Sequence, residues 1–314
     1  RNGSRNGRRR DARFAGRDLL VVTKAGFVGL AGRPNVGKST LVNQIIGEKV
    51  VIVSDRPQTT RRAIRGIAMR NETQLVMVDL PGFQRPRDLL TERMQRRVER
   101  ELSESDAVLF VLNGEEGVGA GDRFIAQLLK ESSKPVLIAV NKGDRLNRSR
   151  TMKSLLAAEE LGVDAEIFPI SAKTGEGVEP LVARLAELMP EGPLLFGVDD
   201  LSDQPLAIEL AELIREQILR RTFQELPHAV EVVVEEIEQQ REGLLRVRAL
   251  AWVESESQKG ILVGRGGKMV RAIGTAARGE IENRVGSQVH LDLSVRVRRS
   301  WRTDEGLLDR LGID

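Results

Sequence analysis

The stretch Gly32 to Thr40, GRPNVGKST, fits the pattern G-x-x-x-x-G-K-[ST], whose usual place is between a strand and a helix. Its glycines let successive backbone N–H groups point at phosphates, Lys38 supplies a point charge to the β and γ groups, and Ser39 can ligate Mg²⁺. Gly32, Asn35, Val36, Gly37 and Thr40 are read as nucleotide-binding with them. DLPG (Asp79 to Gly82) ends the apolar run TQLVMVD, where the Asp79 carboxylate can hold the Mg²⁺ shell through water and Gly82 can offer an unhindered N–H to a γ-phosphate. NKGD ends another apolar run. There Asp144 can accept hydrogen bonds from N1–H and the exocyclic amine of guanine, which adenine cannot supply. Ser171-Ala172-Lys173 follows the last such run and frames the base together with Asn141 and Lys142. Any one of these motifs can be an ordinary turn. Four of them in this order, each at a strand end, specify a guanine-nucleotide site.

A second glycine turn lies near the other end, in GILVGRGGKMVRAIG (260 to 274), where a strand-like apolar run leads into Gly264-Arg265-Gly266-Gly267. Glycines there let a sugar-phosphate backbone approach closely, and a helix N-terminus with Arg265 and Lys268 favours phosphate charge. On the helix that follows, Val270, Ile273, Ala277 and Ile281 share one face, suited to packing on a sheet. Lys268, Arg271 and Arg278 lie to one side of it, suited to single-stranded RNA. The absence of tyrosine and the scarcity of Phe and Trp argue against an aromatic stacking platform, which a backbone-reading groove does not need.

The elements that must position these residues follow from hydrophobic patterning. Continuous apolar runs at 27–32, 73–79, 107–112, 135–140 and 166–171 alternate with helical segments such as Leu89 to Ser103 and Arg123 to Glu131. Runs without polar alternation are strands covered on both faces, so an α/β, doubly wound, mainly parallel P-loop NTPase sheet is expected over 25–190. The rhythm stops in a Pro/Gly/Asp-rich connector at 191–205. A helix over 206–221, strands at 229–237 and 244–254, another helix or turn before Gly260, a helix through Val285 and a strand over 287–297 then predict a smaller α+β domain over 206–314. That order, with its G-x-x-G turn, resembles a type II KH domain, αββααβ.

Composition narrows the function classes. The 314 residues include no cysteine and two separate histidines, which leaves no thiolate or clustered-histidine metal site. No apolar run approaches the roughly 20 residues that cross a bilayer. Residues 1–24 are read as a basic disordered tail: its first 18 residues carry seven arginines against two aspartates, so the +3 of the whole chain is the property of its tail and the rest is about −2. The tail is either a solubilising extension or an arm for nucleic acid. The run LLVVTKAGFVGLAG after it could imitate a signal peptide, but Thr23 and Lys24 interrupt it and its second half suits a buried strand entering the glycine loop.

With these motifs in place, the front half resembles the G domain of the translation-factor-like GTPases. Residues 25 to 314 together resemble the Era family, including REQILRRTFQELPHAVEV (215 to 232) and the ending SWRTDEGLLDRLGID. The resemblance implies a Mg²⁺-dependent GTPase with GTP and GDP as its ligands, binding the 3′ end of small-subunit ribosomal RNA and acting in assembly of the small ribosomal subunit. It implies a mostly monomeric cytoplasmic protein with peripheral membrane association at the inner face of the cell membrane. It also makes QTTRR (58 to 62) the first switch, with Thr60 closing onto Mg²⁺ and Thr59 the alternate. Lys38, Thr60 and Gly82 are then the catalytic set. Asn35 matches the asparagine that holds K⁺ in potassium-stimulated relatives, where the cation spreads transition-state charge. Phe83 stands where Ras-like proteins carry a water-orienting glutamine, so slow intrinsic hydrolysis is expected. Leu80 stands where the family usually has threonine, a change of local packing. A different reading makes the chain an RNA-binding module or chaperone with GTP as a structural ligand. A P-loop small-molecule kinase is disfavoured by NKGD.

Overall fold

In the computed structural model, which describes residues 23–56, 58–223 and 226–313, the apolar runs of the first half become a six-stranded sheet. Its elements are β1 (Lys24–Ala31), α1 (Lys38–Ile46), β2 (Ile64–Arg70), β3 (Thr73–Asp79), α2 (Leu89–Glu104), β4 (Ala107–Asn113), α3 (Ala120–Lys130), β5 (Val136–Asn141), α4 (Arg148–Glu159), β6 (Ala165–Pro169) and α5 (Val178–Leu188). The strand order is β2-β3-β1-β4-β5-β6, with every pairing parallel except β2 against β3. Both faces are buried as the unbroken apolar runs require. Leu41, Val42 and Ile45 of α1 and Leu181, Val182 and Leu185 of α5 cover one face, while Val98, Ile125, Leu129 and Ala158 of α2, α3 and α4 cover the other. The chain leaves β1 toward β2 and β3 on one side and leaves β4 toward β5 on the other, so the winding reverses between β1 and β4 and a ligand crevice opens beside the loop after β1.

Two features of this half differ from the sequence reading. The edge strand β2 carries Arg65, Gly66 and Arg70 among its apolar residues and was not expected as a strand. Its outer edge is covered by the connector: the Ile67 N–H donates to the Leu201 carbonyl at 2.9 Å, and Gly66 pairs with Ser202. The buried Gln74 side chain holds the Leu195 and Phe196 backbones. Residues 191–205 are therefore bonded along the sheet, which blunts an exposed edge. Lys24, counted with the basic tail, is the first residue of β1, and the Thr23 hydroxyl donates to the Gly192 carbonyl at 2.6 Å. The tail from 1 to 22 lies outside the described residues.

The second half runs α6 (Leu206–Arg221), α7 (Leu226–Ala229), β7 (Glu231–Arg241), β8 (Leu244–Val253), α8 (Glu256–Val263), α9 (Lys268–Val285), β9 (Gln288–Val297) and α10 (Glu305–Arg310). Strands β7 and β8 are antiparallel and β8 and β9 parallel, and α6 and α9 bury Leu210, Ile214, Ile218, Ile273, Ala277 and Ile281 against Val247, Ala249 and Ala251. This is the expected αββααβ order. The apolar run Ile261 to Val263, however, is helix and not strand. Ser255 caps α8 by accepting the Gln258 N–H at 3.2 Å, Leu262 turns into the core, and Gly264 ends the helix; three apolar residues are too few to enforce a strand against a good cap.

The end of the chain crosses back to the first half. Trp301, Leu308, Leu311 and Ile313 pack with Leu90 and Met94 of α2, and the Trp301 indole N–H donates to the Ala229 carbonyl at 2.9 Å. Beside this apolar seam lies a buried charge cluster. Arg61 donates to Glu231 Oε2 at 2.6 Å and to the carbonyls of Val230, Pro227 and His228. Arg62 donates to Glu212 at 2.8 Å, to Glu231 at 3.2 Å and to the Leu311 carbonyl at 2.6 Å.

Burial alone would raise the Glu231 carboxyl, but the guanidinium groups of Arg62, Arg61 and Arg215 hold it down, from 4.5 to about 2. A carboxyl lowered by folding contributes stability that is complete above its unfolded value and is lost as pH falls toward the folded one. The thermal midpoint is therefore expected to drop between about pH 4.5 and pH 2, partly through this group. Glu231→Gln should weaken that acid dependence and destabilise the protein at neutral pH by about 3 kcal/mol, the usual scale for removing one partner of a buried ion pair. Thermal melts of both proteins across this pH range measure each effect.

Candidate functional site

The loop after β1 wraps the N-terminus of α1 as a sequence of this type requires. Gly37 has φ 101°, and a Cβ there would come within 2.3 Å of the Asn141 side-chain nitrogen, so only glycine fits. Val36 turns its side chain into the core, leaving its backbone for the loop. Lys38 is buried, and its ammonium donates to the carbonyls of Gly32 at 3.0 Å and Arg33 at 3.1 Å. Burial lowers its pKa to about 8, against the opposing pull of Asp79. A cleft of about 370 Å³ opens over this loop, lined by Asn35, Gly37, Lys38, Ser39 and Thr40 from its floor, Thr60 and Gly82 from one wall, and Asn141, Lys142, Asp144, Ala172 and Lys173 from the other. Residues from five separate segments thus meet in one place.

On the first wall three oxygens converge. The Ser39 hydroxyl donates to Asp79 Oδ2 at 2.7 Å, the Thr60 hydroxyl donates to the same oxygen at 3.1 Å, and the two hydroxyls lie 3.2 Å apart. Thr59 is directed elsewhere, donating to the Arg56 carbonyl at 2.6 Å. Asp79 is fully buried, which raises its pKa despite Lys38 and the two hydroxyls, and its Oδ1 has no hydrogen-bond partner. A buried acceptor without a donor, beside two hydroxyls, fits a hard cation. Among the described residues no group of three or more carboxylate or imidazole side chains could hold a metal by itself. The donor set therefore suits Mg²⁺ completed by phosphate oxygens and water.

On the second wall the Asn141 amide joins three loops. It donates to the Val36 carbonyl at 2.8 Å and accepts the Ala172 N–H at 2.8 Å. Asp144 accepts the Ser171 hydroxyl at 2.7 Å and stays exposed at the cleft rim, preceded by Lys142 in the left-handed region. Asn35, also left-handed at φ 62°, donates to the Asp55 carbonyl at 2.9 Å. Phe83 is buried and packs edge-on against Phe124 with centroids 6.5 Å apart, and Leu80 is buried in the same cluster.

At the second glycine turn, Gly264 (φ 71°, ψ 169°) passes so close to Met269 that a Cβ would lie 2.7 Å from the Met269 Cβ, and Gly266 and Gly267 are left-handed. Helix α9 begins at Lys268 with no side-chain cap; the Lys268 N–H is taken by the Arg265 carbonyl, and no side chain competes with a phosphate at this helix start. Arg265, Lys268 and Arg271 are exposed around this turn, with Arg271 donating back to the carbonyls of Gly266 and Gly267. Arg278 does not join them. Lying ten residues along α9, it pairs with Glu282 at 3.9 Å and lines a separate open cleft with Arg246 and His290, because a row of basic residues on a helix extends along its axis away from the turn.

Comparison with known families matches residues 27–142 to the 50S ribosome-binding GTPase model and residues 225–302 to the KH domain model. The GTPase Era of Lactobacillus helveticus is 44% identical over 291 residues, covering 93% of this chain and 96% of that one. The GTPase Era of a Nocardioides species is 46% identical over 301 residues, covering 92% and 96%. The chain belongs to the Era GTPase family. It is a GTPase with a P-loop sheet and a KH domain. Its fold superposes on a crystal structure of Era in complex with MgGDPNP and nucleotides 1506–1542 of 16S ribosomal RNA with a TM-score of 0.88 at 33% identity, covering 93% of this chain and 99% of that one. A variant of Aquifex aeolicus Era bound to GDP·AlF4⁻ matches with the same score, identity and coverage.

Within this Era-family site, several residues were not singled out from sequence. Arg33 of the glycine loop pairs with the buried Asp122 at 2.8 Å and donates to the Gly117 carbonyl at 3.2 Å, fixing the loop to the start of α3. Arg61 and Arg62 were read only as part of the QTTRR motif, and Glu212 and Glu231 were not singled out at all. Their signal was an unusual one, adjacent arginines beside Thr60 and carboxylates on otherwise apolar faces. The Asn141 amide provides a direct check on how the cleft is held together. Asn141→Ala leaves the buried Ala172 N–H and Val36 carbonyl unpaired, at about 1–3 kcal/mol for such groups. We expect nucleotide affinity to fall by about tenfold or more, measured by fluorescence titration with a labelled GDP, with little change in helical content.

Proposed function

We propose that this Era-family chain is a GTP-hydrolysing switch that binds the 3′ end of small-subunit ribosomal RNA and acts in assembly of the small ribosomal subunit. The observation that carries the reading is the presence, in one chain, of the converged Ser39–Thr60–Asp79 cleft and the uncapped glycine turn before α9, in a fold like that of the Era solved with a GTP analogue and a 16S RNA fragment. Lys38 and the loop amides neutralise the phosphates, exchanging the Gly32 and Arg33 carbonyls for phosphate oxygens. Ser39 and Thr60 would hold Mg²⁺, with Asp79 acting through water, and the ion would supply electrostatic stabilisation to the phosphoryl group. Gly82 offers its N–H to the γ-phosphate. Asp144, steadied by Ser171, selects guanine, and Ala172, Lys173 and Lys142 enclose the base. Phe83 is committed to the core, so water attacks without a side-chain carboxamide to orient it, and basal turnover is slow.

In this reading Gly264, Arg265, Gly266, Gly267, Lys268 and Arg271 clamp the RNA backbone, with Arg278 further along the same strand. The domain division is 25–190 for the G domain and 206–314 for the KH domain. Asn35 assists a K⁺ ion at the phosphates, and the family likeness extends the reading to a mostly monomeric cytoplasmic protein with peripheral membrane association.

Two measurements test this. Asp144→Asn should lose GTP preference by about 100-fold or more and gain xanthine nucleotide, since a site with unpaired acceptors rejects the wrong base strongly; retention of full GTP preference would refute the guanine assignment. GTP hydrolysis should rise in K⁺ over Na⁺ and on adding single-stranded RNA from the 3′ end of small-subunit ribosomal RNA. Asn35→Ala should remove the first effect and the Gly266→Asp, Gly267→Asp double variant the second. Tight RNA binding with turnover indifferent to RNA would favour an RNA-binding module with GTP as a structural ligand.

A further inference from the structure

One face of α6, in the KH half, is built of charge. Glu212, Arg215 and Glu216 stand at i, i+3 and i+4, so they share a side of the helix, and all three are buried, Arg215 and Glu216 completely. Long charged side chains are placed so only when each finds specific partners, because the solvation they give up is otherwise unreturned. Apart from the pairs within α6 itself, Glu212 with Arg215 and Glu216 with Arg220, the partners lie on the loop between α1 and β2, which carries Thr60.

Glu216 takes the start of that loop, accepting the Lys49 ammonium at 2.7 Å and the Val53 N–H at 3.0 Å. Arg215 takes its centre. Its guanidinium donates to the Thr59 carbonyl while Glu212 holds the same guanidinium at 2.6 Å and 3.2 Å. Glu212 and Glu231 take its end through Arg62 and Arg61. Thr60 is therefore bracketed: the peptide before it is bonded to Arg215 and the two residues after it are bonded to carboxylates of the KH half, and between these anchors its hydroxyl reaches Asp79 and Ser39. None of these KH residues touches the nucleotide cleft. The cluster sets three guanidinium groups against two carboxylates and leaves one Arg215 nitrogen and the Arg61 Nε without acceptors, so it holds the loop in one place without being fully satisfied there.

We propose that Arg215 is a positioning residue for GTP hydrolysis, setting the Thr60 hydroxyl toward the metal through the Thr59 carbonyl, with Glu212 holding Arg215 in turn. The inference rests on the reading of Thr60 as a Mg²⁺ ligand. Its functional content is that the RNA-binding half completes the geometry of the hydrolytic half within one chain. Binding of GDP, which depends on the glycine loop and the base contacts, does not pass through this bracket.

The test is single-turnover GTP hydrolysis as a function of Mg²⁺ concentration in the full chain, for the parent, Arg215→Met, Arg215→Lys, Thr60→Ala and the Thr60→Ala, Arg215→Met double variant. Arg215→Met is expected to lower the saturated rate by about tenfold and to raise the Mg²⁺ concentration for half-maximal rate, a loss in keeping with a displaced ligand, while GDP affinity changes by less than about twofold. Arg215→Lys, which keeps one donor, should recover part of the rate. The double variant should be no slower than Thr60→Ala alone, since two residues acting through one group are not additive. Parent-like Mg²⁺ dependence in a folded Arg215→Met protein, or losses that add in the double variant, would overturn the proposal. If Thr60→Ala itself hydrolyses GTP with the parent's Mg²⁺ dependence, the metal-ligand reading fails first and the two failures are told apart. Should Arg215→Met melt below the assay temperature, Glu212→Gln, which keeps shape and one acceptor, must show the same Mg²⁺ shift in smaller measure; a lowered melting midpoint with unchanged Mg²⁺ dependence would reduce Arg215 to a packing role and overturn the proposal as well.

Discussion

Arg61, Arg62, Arg215, Glu212 and Glu231 meet out of contact with water where the two halves of the chain join, and the arrangement of everything else depends on that meeting. Removing five charges from solvent is costly, and their mutual attraction returns the cost only in a narrow range of geometries. Such a cluster contributes less to net stability than an apolar seam of equal volume, but it tolerates fewer alternatives. The apolar seam of Trp301, Leu308 and Leu311 on α2 supplies attraction without direction, and the charge cluster supplies direction. Because two of its arginines follow Thr60 directly, the geometry it selects extends into the nucleotide cleft.

The cleft itself follows from topology. A parallel sheet whose winding reverses at β1 leaves the loops after β1, β3, β5 and β6 side by side, and each of them carries a motif. The loops are then tied to one another by buried side chains and not by the ligand alone. Asn141 joins the β5 loop to the β1 and β6 loops, Ser171 joins the β6 loop to Asp144, and Asp79 gathers Ser39 and Thr60. This preorganisation explains why a carboxylate with a raised pKa sits beside a lysine with a lowered one. Both are buried away from solvent, in a place suited to a phosphate and a cation as further partners.

The KH half uses glycine for a different end. Close approach of Gly264 to Met269 folds the turn tightly, and the uncapped start of α9 leaves main-chain donors at a surface rimmed by Arg265, Lys268 and Arg271. In both halves a glycine turn precedes a helix N-terminus, an arrangement suited to phosphate. In the first the lysine is buried and the pocket enclosed, which suits a small nucleotide; in the second the basic residues are exposed on an open face, which suits a polymer.

Local patterning determined the parts of this protein that depend on residues close together in the chain. The glycine loops, the motif at each strand end, the buried strands and the apolar face of α9 were all legible, because backbone freedom, strand burial and helical periodicity are properties of a few neighbouring residues. The edge strand β2 was not legible, since its alternation is broken by arginines whose partners are remote, and neither was the helical state of Ile261 to Val263, which the Ser255 cap several residues upstream decides. Arg278 shared a helix with Lys268 but not a site, because a helix face is longer than a ligand contact. Only the tertiary structure decided that Thr60 and not Thr59 turns toward Asp79, that Asn141 acts as a brace between loops, and that Glu212, Arg215 and Glu216 are buried instead of solvated. A charge on a helix reads as surface until its partner is known, and these partners lie some 150 residues away in sequence, as Arg62 does from Glu212.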